Sequence, residues 1–197
     1  MTKAVSIEIS RVSNTLFLGK LNLNEFAKAY NLTEKRIIEK QGSLFIVRNF
    51  LKDETIEILY QDKGRPYLTN GVEISISHSY DWLVVLFSYA NEKIGIDIEK
   101  ISQKVINIKD KFLSDDELID LEHETSDKYT AYWAVKEAVY KAFDTEHLVF
   151  GDEILIENFS YSQQGGKINA LVKRQEIEKK YTLVYQVINE YILVYTL

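Results

Sequence analysis

Apolar and polar residues alternate one for one over residues 4–9, with Val5, Ile7 and Ile9 set against Ser6, Glu8 and Ser10. A period of two predicts a strand, and 15–18 reads as a second. The period lengthens over 33–51, where Ile37, Ile38, Leu44, Phe45, Val47 and Leu51 supply one apolar stripe and Thr33 a candidate N-cap. Gly42 in the middle of that helix is expected to cost ~1 kcal/mol relative to alanine. Residues 55–60 return to strand, 61–64 form a turn, and Arg65-Pro66 leaves it extended. Strands follow at 72–78, 83–89 and 93–99, the last two joined as a hairpin by Ala90-Asn91-Glu92. One helix opens at Ser114 and a longer one covers 127–143. Strands then close the chain at 153–159, 168–172, 181–187 and 191–197.

The succession helix, strands, helices, strands predicts an α+β protein of two lobes, 1–100 and 101–197. Pro66 is the single proline and no Ser/Gly linker marks the boundary. A short echo supports duplication: 83–97 and 183–195 both read as strand, turn with Asn-Glu, strand.

Composition narrows the function classes. A net charge of −6 leaves no basic excess to release counterions from nucleic acid, and it disfavours an anionic membrane surface. The absence of cysteine excludes disulfides and thiolate metal sites. The first residues lack the apolar stretch of a secretory signal, and no apolar run reaches transmembrane length, so a soluble cytoplasmic protein is expected.

Within this frame, Gly95-Ile96-Asp97-Ile98-Glu99 carries the first candidate chemistry. Alternation turns Ile96 and Ile98 one way and Gly95, Asp97 and Glu99 the other. Two carboxylates at i and i+2 repel unless a cation lies between them, and oxygen ligands of this kind suit Mg²⁺. The plainer reading is a strand with a wet acidic face.

Trp133-Ala134-Val135-Lys136-Glu137-Ala138-Val139-Tyr140-Lys141 carries the second. At helical spacing Trp133, Glu137 and Lys141 share a stripe, and Lys136 with Tyr140 forms the next. Small residues at 131, 134, 138 and 142 permit close packing on a sheet. Glu137 and Lys141 read either as an exposed ion pair or as a third metal ligand followed by a lysine for a phosphate. In Ile74-Ser75-Ile76-Ser77-His78-Ser79, Ser77 and His78 near the strand's end could form an anion cradle, or His78 could simply end a strand. The basic turn Lys63-Gly64-Arg65 could hold a terminal phosphate or stand in solvent. No Gly-x-Ser-x-Gly elbow and no His-Glu-x-x-His occurs.

Taken in order, Gly64-Arg65-Pro66, Ser75 to Ser79, Gly95 to Glu99, Phe112-Leu113-Ser114-Asp115-Asp116-Glu117 and Trp133 to Lys141 resemble the 4′-phosphopantetheinyl transferases, in their single-chain, surfactin-type branch. The resemblance covers about residues 63–143. It implies two pseudo-symmetric lobes with the active site between them, and transfer of the phosphopantetheine arm of coenzyme A to a serine of an apo acyl or peptidyl carrier protein. By motif position, Asp97, Glu99 and Glu137 match the metal ligands, for Mg²⁺ or Mn²⁺. Lys141 matches the pyrophosphate lysine, Ser77 and His78 the pair near the coenzyme A phosphates, and Arg65 a basic residue near the 3′-phosphate. Glu117 matches the general base, although Ser114-x-x-Glu117 is also a capping box, and a metal-bound water or Glu99 could take the proton instead. The carrier is expected to dock near residues 112–121. A monomer is expected.

The sequence departs from the family at 144–147, where many relatives place glycines. The N-terminal basic residues are matched only by the candidates Lys35, Arg36 and Arg48, and the first lobe is expected to be trimmed. A non-catalytic coenzyme A- or carrier-binding relative and a Mg²⁺ phosphohydrolase are the rival classes.

Overall fold

The computed structural model describes residues 5–62, 64–143 and 148–197. Expectations about Ala4, Lys63 and the turn Asp144 to His147 fall outside those residues. The chain divides into two compact units, Met1–Ile94 and Gly95–Leu197. Both are mixed α+β with antiparallel sheets. Among the described residues no helix is long and apolar enough to cross a membrane.

In chain order the first unit contains β1 (Ile7–Arg11), β2 (Leu16–Asn22), α1 (Leu23–Tyr30), α2 (Lys35–Leu51), β3 (Leu59–Tyr60), β4 (Pro66–Tyr67), β5 (Glu73–Ser79) and β6 (Trp82–Ser88). Its main sheet runs β1-β2-β6-β5, and β3 and β4 form a separate two-stranded ribbon. The apolar faces of β2 and β6 (Leu21, Leu83, Val85, Phe87) meet Phe26 of α1 and Ile46 and Val47 of α2. The sequence reading did not resolve α1. It opens on Asn22, whose side chain accepts the Asn24 and Glu25 N–H groups, and closes on Asn31 in the left-handed region. α2 begins at Lys35 with Glu34 as its N-cap, so Thr33 does not cap it. Gly42 has a packing reason: a Cβ there would stand 3.3 Å from Leu21 and Leu23, so its absence lets α2 sit close to the sheet.

The second unit contains β7 (Ile96–Lys100), a 3₁₀ segment (Gln103–Lys111), α3 (Asp115–Asp120), α4 (Ser126–Phe143), α5 (Phe150–Glu153), β8 (Ile154–Ile156), β9 (Gly166–Arg174), β10 (Ile177–Ile188) and β11 (Tyr191–Thr196). The sheet order is β7-β11-β10-β9-β8. α4 packs across β7 and β11, and Ala131, Ala134, Val135, Ala138 and Ala142 share one core with Leu183, Ile192 and Val194.

Three expectations change here. The 83–99 hairpin does not form: β6 pairs with β2 and β5, whereas β7 pairs with β11. The hairpin lies one strand earlier, between β5 and β6, turning at Tyr80 and Asp81 with Tyr80 at φ 48°. With it goes the echo, because 183–195 is a true hairpin, β10 to β11. The division likewise falls at Ile94 and Gly95, because β7 joins the second unit's sheet. Alternation identifies a strand but does not choose its partner.

Candidate functional site: three carboxylates and a lysine between a strand and a helix

Residues opposite one another in an antiparallel pair share a face. Asp97 is paired with Val194 and Glu99 with Ile192, and both partners belong to the core beneath α4. The acidic face of β7 is therefore covered by a helix, and Asp97 is only 3% exposed. The wet-face reading fails for this reason.

Gly95 makes the close seat possible. A Cβ at that position would lie 1.8 Å from the Ala138 carbonyl oxygen of α4. The strand end is fixed on its other side by Thr196, whose hydroxyl accepts the Gly95 N–H at 3.1 Å and whose N–H reaches the Gly95 carbonyl at 3.0 Å.

The helical stripe meets the strand as its spacing predicts. Trp133 Nε1 donates to Glu99 Oε1 at 3.0 Å. One turn on, Glu137 is partly buried. A further turn on, Lys141 Nζ donates to Asp97 Oδ1 at 2.8 Å and to the Ile96 carbonyl at 3.0 Å. Burial pushes the Glu137 carboxyl up to about 7; Asp97 and Glu99 add to the rise, and Lys141 opposes it. The lysine thus joins β7 rather than forming a solvent-exposed pair with Glu137.

Among the described residues, no three acidic or histidine side chains are closed to ligating distance. The three carboxylates are near enough to feel one another's charge, yet Asp97 and Glu99 are turned to Lys141 and Trp133. Crowded carboxylates, one of them driven toward its protonated form, fit a hard divalent cation that takes oxygen ligands. Asp97, Glu99 and Glu137 are the residues that could hold it.

The remaining expected site residues are distributed differently. Arg65 Nη2 lies 3.5 Å from Glu73 Oε2 at the start of β5, where Lys93 also holds Glu73 at 2.9 Å. His78 stands five residues further along that strand, roughly 17 Å away at the strand rise. Ser77 is buried and His78 exposed, on opposite faces of β5. His78 Nδ1 lies 3.3 Å from Glu39 Oε1 of α2. Of the N-terminal candidates, Arg48 donates to the Ile56 carbonyl at 3.2 Å and Lys35 lies 3.7 Å from Glu39.

Glu117 meets a geometric obstacle as a general base. It is 3% exposed. Its Oε2 accepts from Lys136 Nζ at 2.6 Å and from the Ser114 N–H at 2.9 Å, and its Oε1 accepts the Ile156 N–H at 2.8 Å. The capping box forms as its spacing predicts. A proton acceptor must reach the proton it takes, and this one is enclosed. Lys136, which the sequence reading left without a role, is fully buried and also donates to the carbonyls of Phe150 and Ile154, at 2.9 and 2.6 Å. The available signal was its place among the apolar residues of α4, one position from the acidic stripe.

The sequence profile of the 4′-phosphopantetheinyl transferase superfamily matches residues 93–196, the segment that contains β7, α4 and the carboxylate cluster. The chain is 28% identical over 142 residues to "4′-phosphopantetheinyl transferase gsp" of Aneurinibacillus migulanus, covering 70% of this chain and 57% of that protein. It is 32% identical over 103 residues to "4′-phosphopantetheinyl transferase Sfp" of Bacillus subtilis (strain 168), covering 49% and 45%. A "4′-phosphopantetheinyl transferase" of Bacillus subtilis is 36% identical over 87 residues, covering 41% and 38%. The chain thus spans less than two thirds of the length of these curated relatives. The match takes in more than half of the chain and contains all four members of the cluster; the chain belongs to the 4′-phosphopantetheinyl transferase superfamily.

Proposed function

We propose that this chain transfers the 4′-phosphopantetheine arm of coenzyme A to a serine hydroxyl of an apo acyl or peptidyl carrier protein. The serine Oγ–P bond forms, the bond from that phosphorus to its leaving oxygen breaks, and adenosine 3′,5′-bisphosphate departs. The observation that carries the reading is the Asp97–Glu99–Glu137–Lys141 cluster between β7 and α4, within the segment that matches the superfamily.

Transfer at phosphorus depends on alignment and charge neutralisation more than on covalent help. Asp97, Glu99 and Glu137 would hold Mg²⁺ or Mn²⁺, which when bound offsets pyrophosphate charge as that charge shifts to the leaving oxygen. Lys141 supplies a point charge one turn from Glu137, and Trp133 fixes the Glu99 carboxylate. His78 and Arg65 are assigned to separate phosphates of coenzyme A, with Ser77 beside His78. With Glu117 enclosed, Glu99 takes the serine proton; it is only partly buried. The finer fold reading is that the two units share a plan, an antiparallel sheet with one long helix, α2 or α4, packed on a face.

The direct test is intact-mass analysis of a panel of apo carriers incubated with the protein, coenzyme A and Mg²⁺. A carrier that gains the phosphopantetheine group supports the reading. Coenzyme A binding with no carrier modified would favour a non-catalytic relative. Asp97→Ala is expected to lower the transfer rate about 100-fold or more. Full activity in that variant would remove the cluster from the mechanism.

Glu137 gives a second expectation. Its value of about 7 lies above the ordinary 4.5, so between those values the metal-free fold keeps a proton that the unfolded chain has lost. Stability of the metal-free protein should therefore fall as pH rises through that window. Mg²⁺ binding to the carboxylate must expel the proton. Calorimetry at about pH 6, inside that window, in two buffers of different ionisation enthalpy should register proton release. The release should vanish in Glu137→Gln.

A further inference from the structure

Glu39 lies on α2 with its side chain 17% exposed, and its Oε1 is 3.3 Å from His78 Nδ1 and 3.7 Å from Lys35 Nζ. That oxygen is shut off from solvent and receives no well-directed hydrogen bond. A buried carboxylate oxygen left in this condition is costly, so its placement requires a reason. The Lys35 side chain is 79% exposed and further away, which leaves the imidazole as the nearer partner. His78 itself is 42% exposed. Its Nδ1 edge faces α2, and Nε2 occupies the opposite edge of the ring.

We infer that Glu39 is a positioning residue: it holds the Nδ1 edge of His78 and so presents Nε2 to a phosphate of coenzyme A. The inference rests on the reading of His78 given above. With Nδ1 set against a carboxylate and carrying its proton on that side, the ring can donate from Nε2 only when both nitrogens carry protons. That form is also the one selected by an anion on the Nε2 side. Carboxylate, imidazolium and phosphate then alternate in charge, and the cation between them keeps Glu39 from repelling the ligand.

The discriminating experiment combines ¹⁵N NMR of labelled histidine with coenzyme A calorimetry, on the whole chain, for wild type, Glu39→Gln and His78→Asn. The three histidines are few enough for His78→Asn to assign the signal. In wild type the Nδ1–H form should dominate, and both nitrogens should be protonated once coenzyme A is bound. In Glu39→Gln, which keeps the side-chain shape, the free ring should become a mixture of tautomers. Coenzyme A affinity should weaken about tenfold there, as for loss of a charge-assisted hydrogen bond. KM for coenzyme A should rise by the same factor with kcat little changed. A thermal melt close to wild type would separate this from a folding defect. An unchanged tautomer in Glu39→Gln overturns the inference. Unchanged coenzyme A affinity in His78→Asn would instead remove the phosphate reading of His78, and with it the role of Glu39 in binding, while the NMR comparison still reports the pairing.

Discussion

Glu117→Gln should lose about 3–5 kcal/mol of folding stability, because it leaves the Lys136 ammonium buried without its counter-charge. The two side chains are 4% and 0% exposed, so water can compensate neither. Burial already depresses the Lys136 ammonium below the usual lysine range, and the Glu117 charge and hydrogen bond are the main forces opposing that fall. Without the carboxylate, the lysine must shed its proton or the fold must open. Adding Lys136→Met removes the stranded charge, and the double variant should regain most of the loss. Recovery will be incomplete because the Phe150 and Ile154 carbonyls lose their donor. The double variant also decides what Glu117 does in the proposed transfer. A general base accounts for roughly 10²–10⁴ in rate, whereas a strut accounts for none once the fold is restored. Denaturant melts paired with intact-mass assays should find the double variant folded and transferring within about tenfold of wild type. A well-folded double variant with no transfer would return Glu117 to the role of base.

What the sequence made legible and what it hid follow one physical division. The period of two in 95–99 and the period of 3.6 in 133–141 are local, and each correctly placed its side chains on one face of its own element. Asp97 with Glu99, and Glu137 with Lys141, could be grouped without coordinates for that reason. Hidden were the relations set by long-range pairing. Alternation says nothing about which strand β7 joins, and its pairing with β11 is what carries the acidic face under α4. Depth was hidden too. Charge on a helix reads as solvated by default, and nothing in the spacing of Lys136 or Glu117 shows that both are buried. The capping box explained Glu117 at short range, yet its Lys136 and Ile156 partners come from distant segments. α1 was missed for a different reason. Its Asn22 cap, with Glu25 three residues on, is a readable signal, but it directly follows a strand and leaves no gap in the apolar pattern.

Gly95→Ala should be the most damaging conservative change in the second unit. The added Cβ would stand 1.8 Å from the Ala138 carbonyl oxygen and 3.0 Å from the Ala142 nitrogen. These are backbone atoms, so no rotamer change relieves the clash. α4 would have to retreat by roughly 1.5 Å to restore ordinary contact, or β7 would have to leave β11. Overpacking of this kind costs about 3 kcal/mol or more. The retreat would also reach the chemistry. Glu137 is the residue before Ala138, and Lys141 holds Asp97 at 2.8 Å across the same contact. Misplacement by about 1 Å can cost 10²-fold in rate, so transfer should fall even at temperatures where the variant remains folded. Gly42→Ala is the matched control. Its Cβ would meet the flexible ends of Leu21 and Leu23 at 3.3 Å and of Leu83 at 3.8 Å, and those can yield. Removing glycine from a helix also gains up to about 1 kcal/mol, so that variant should melt near or above wild type. Thermal melts and intact-mass assays of both variants would separate a general intolerance of substitution from a specific seat for α4. If Gly95→Ala melts and transfers like wild type, the close approach of α4 to β7 is not what assembles the carboxylates.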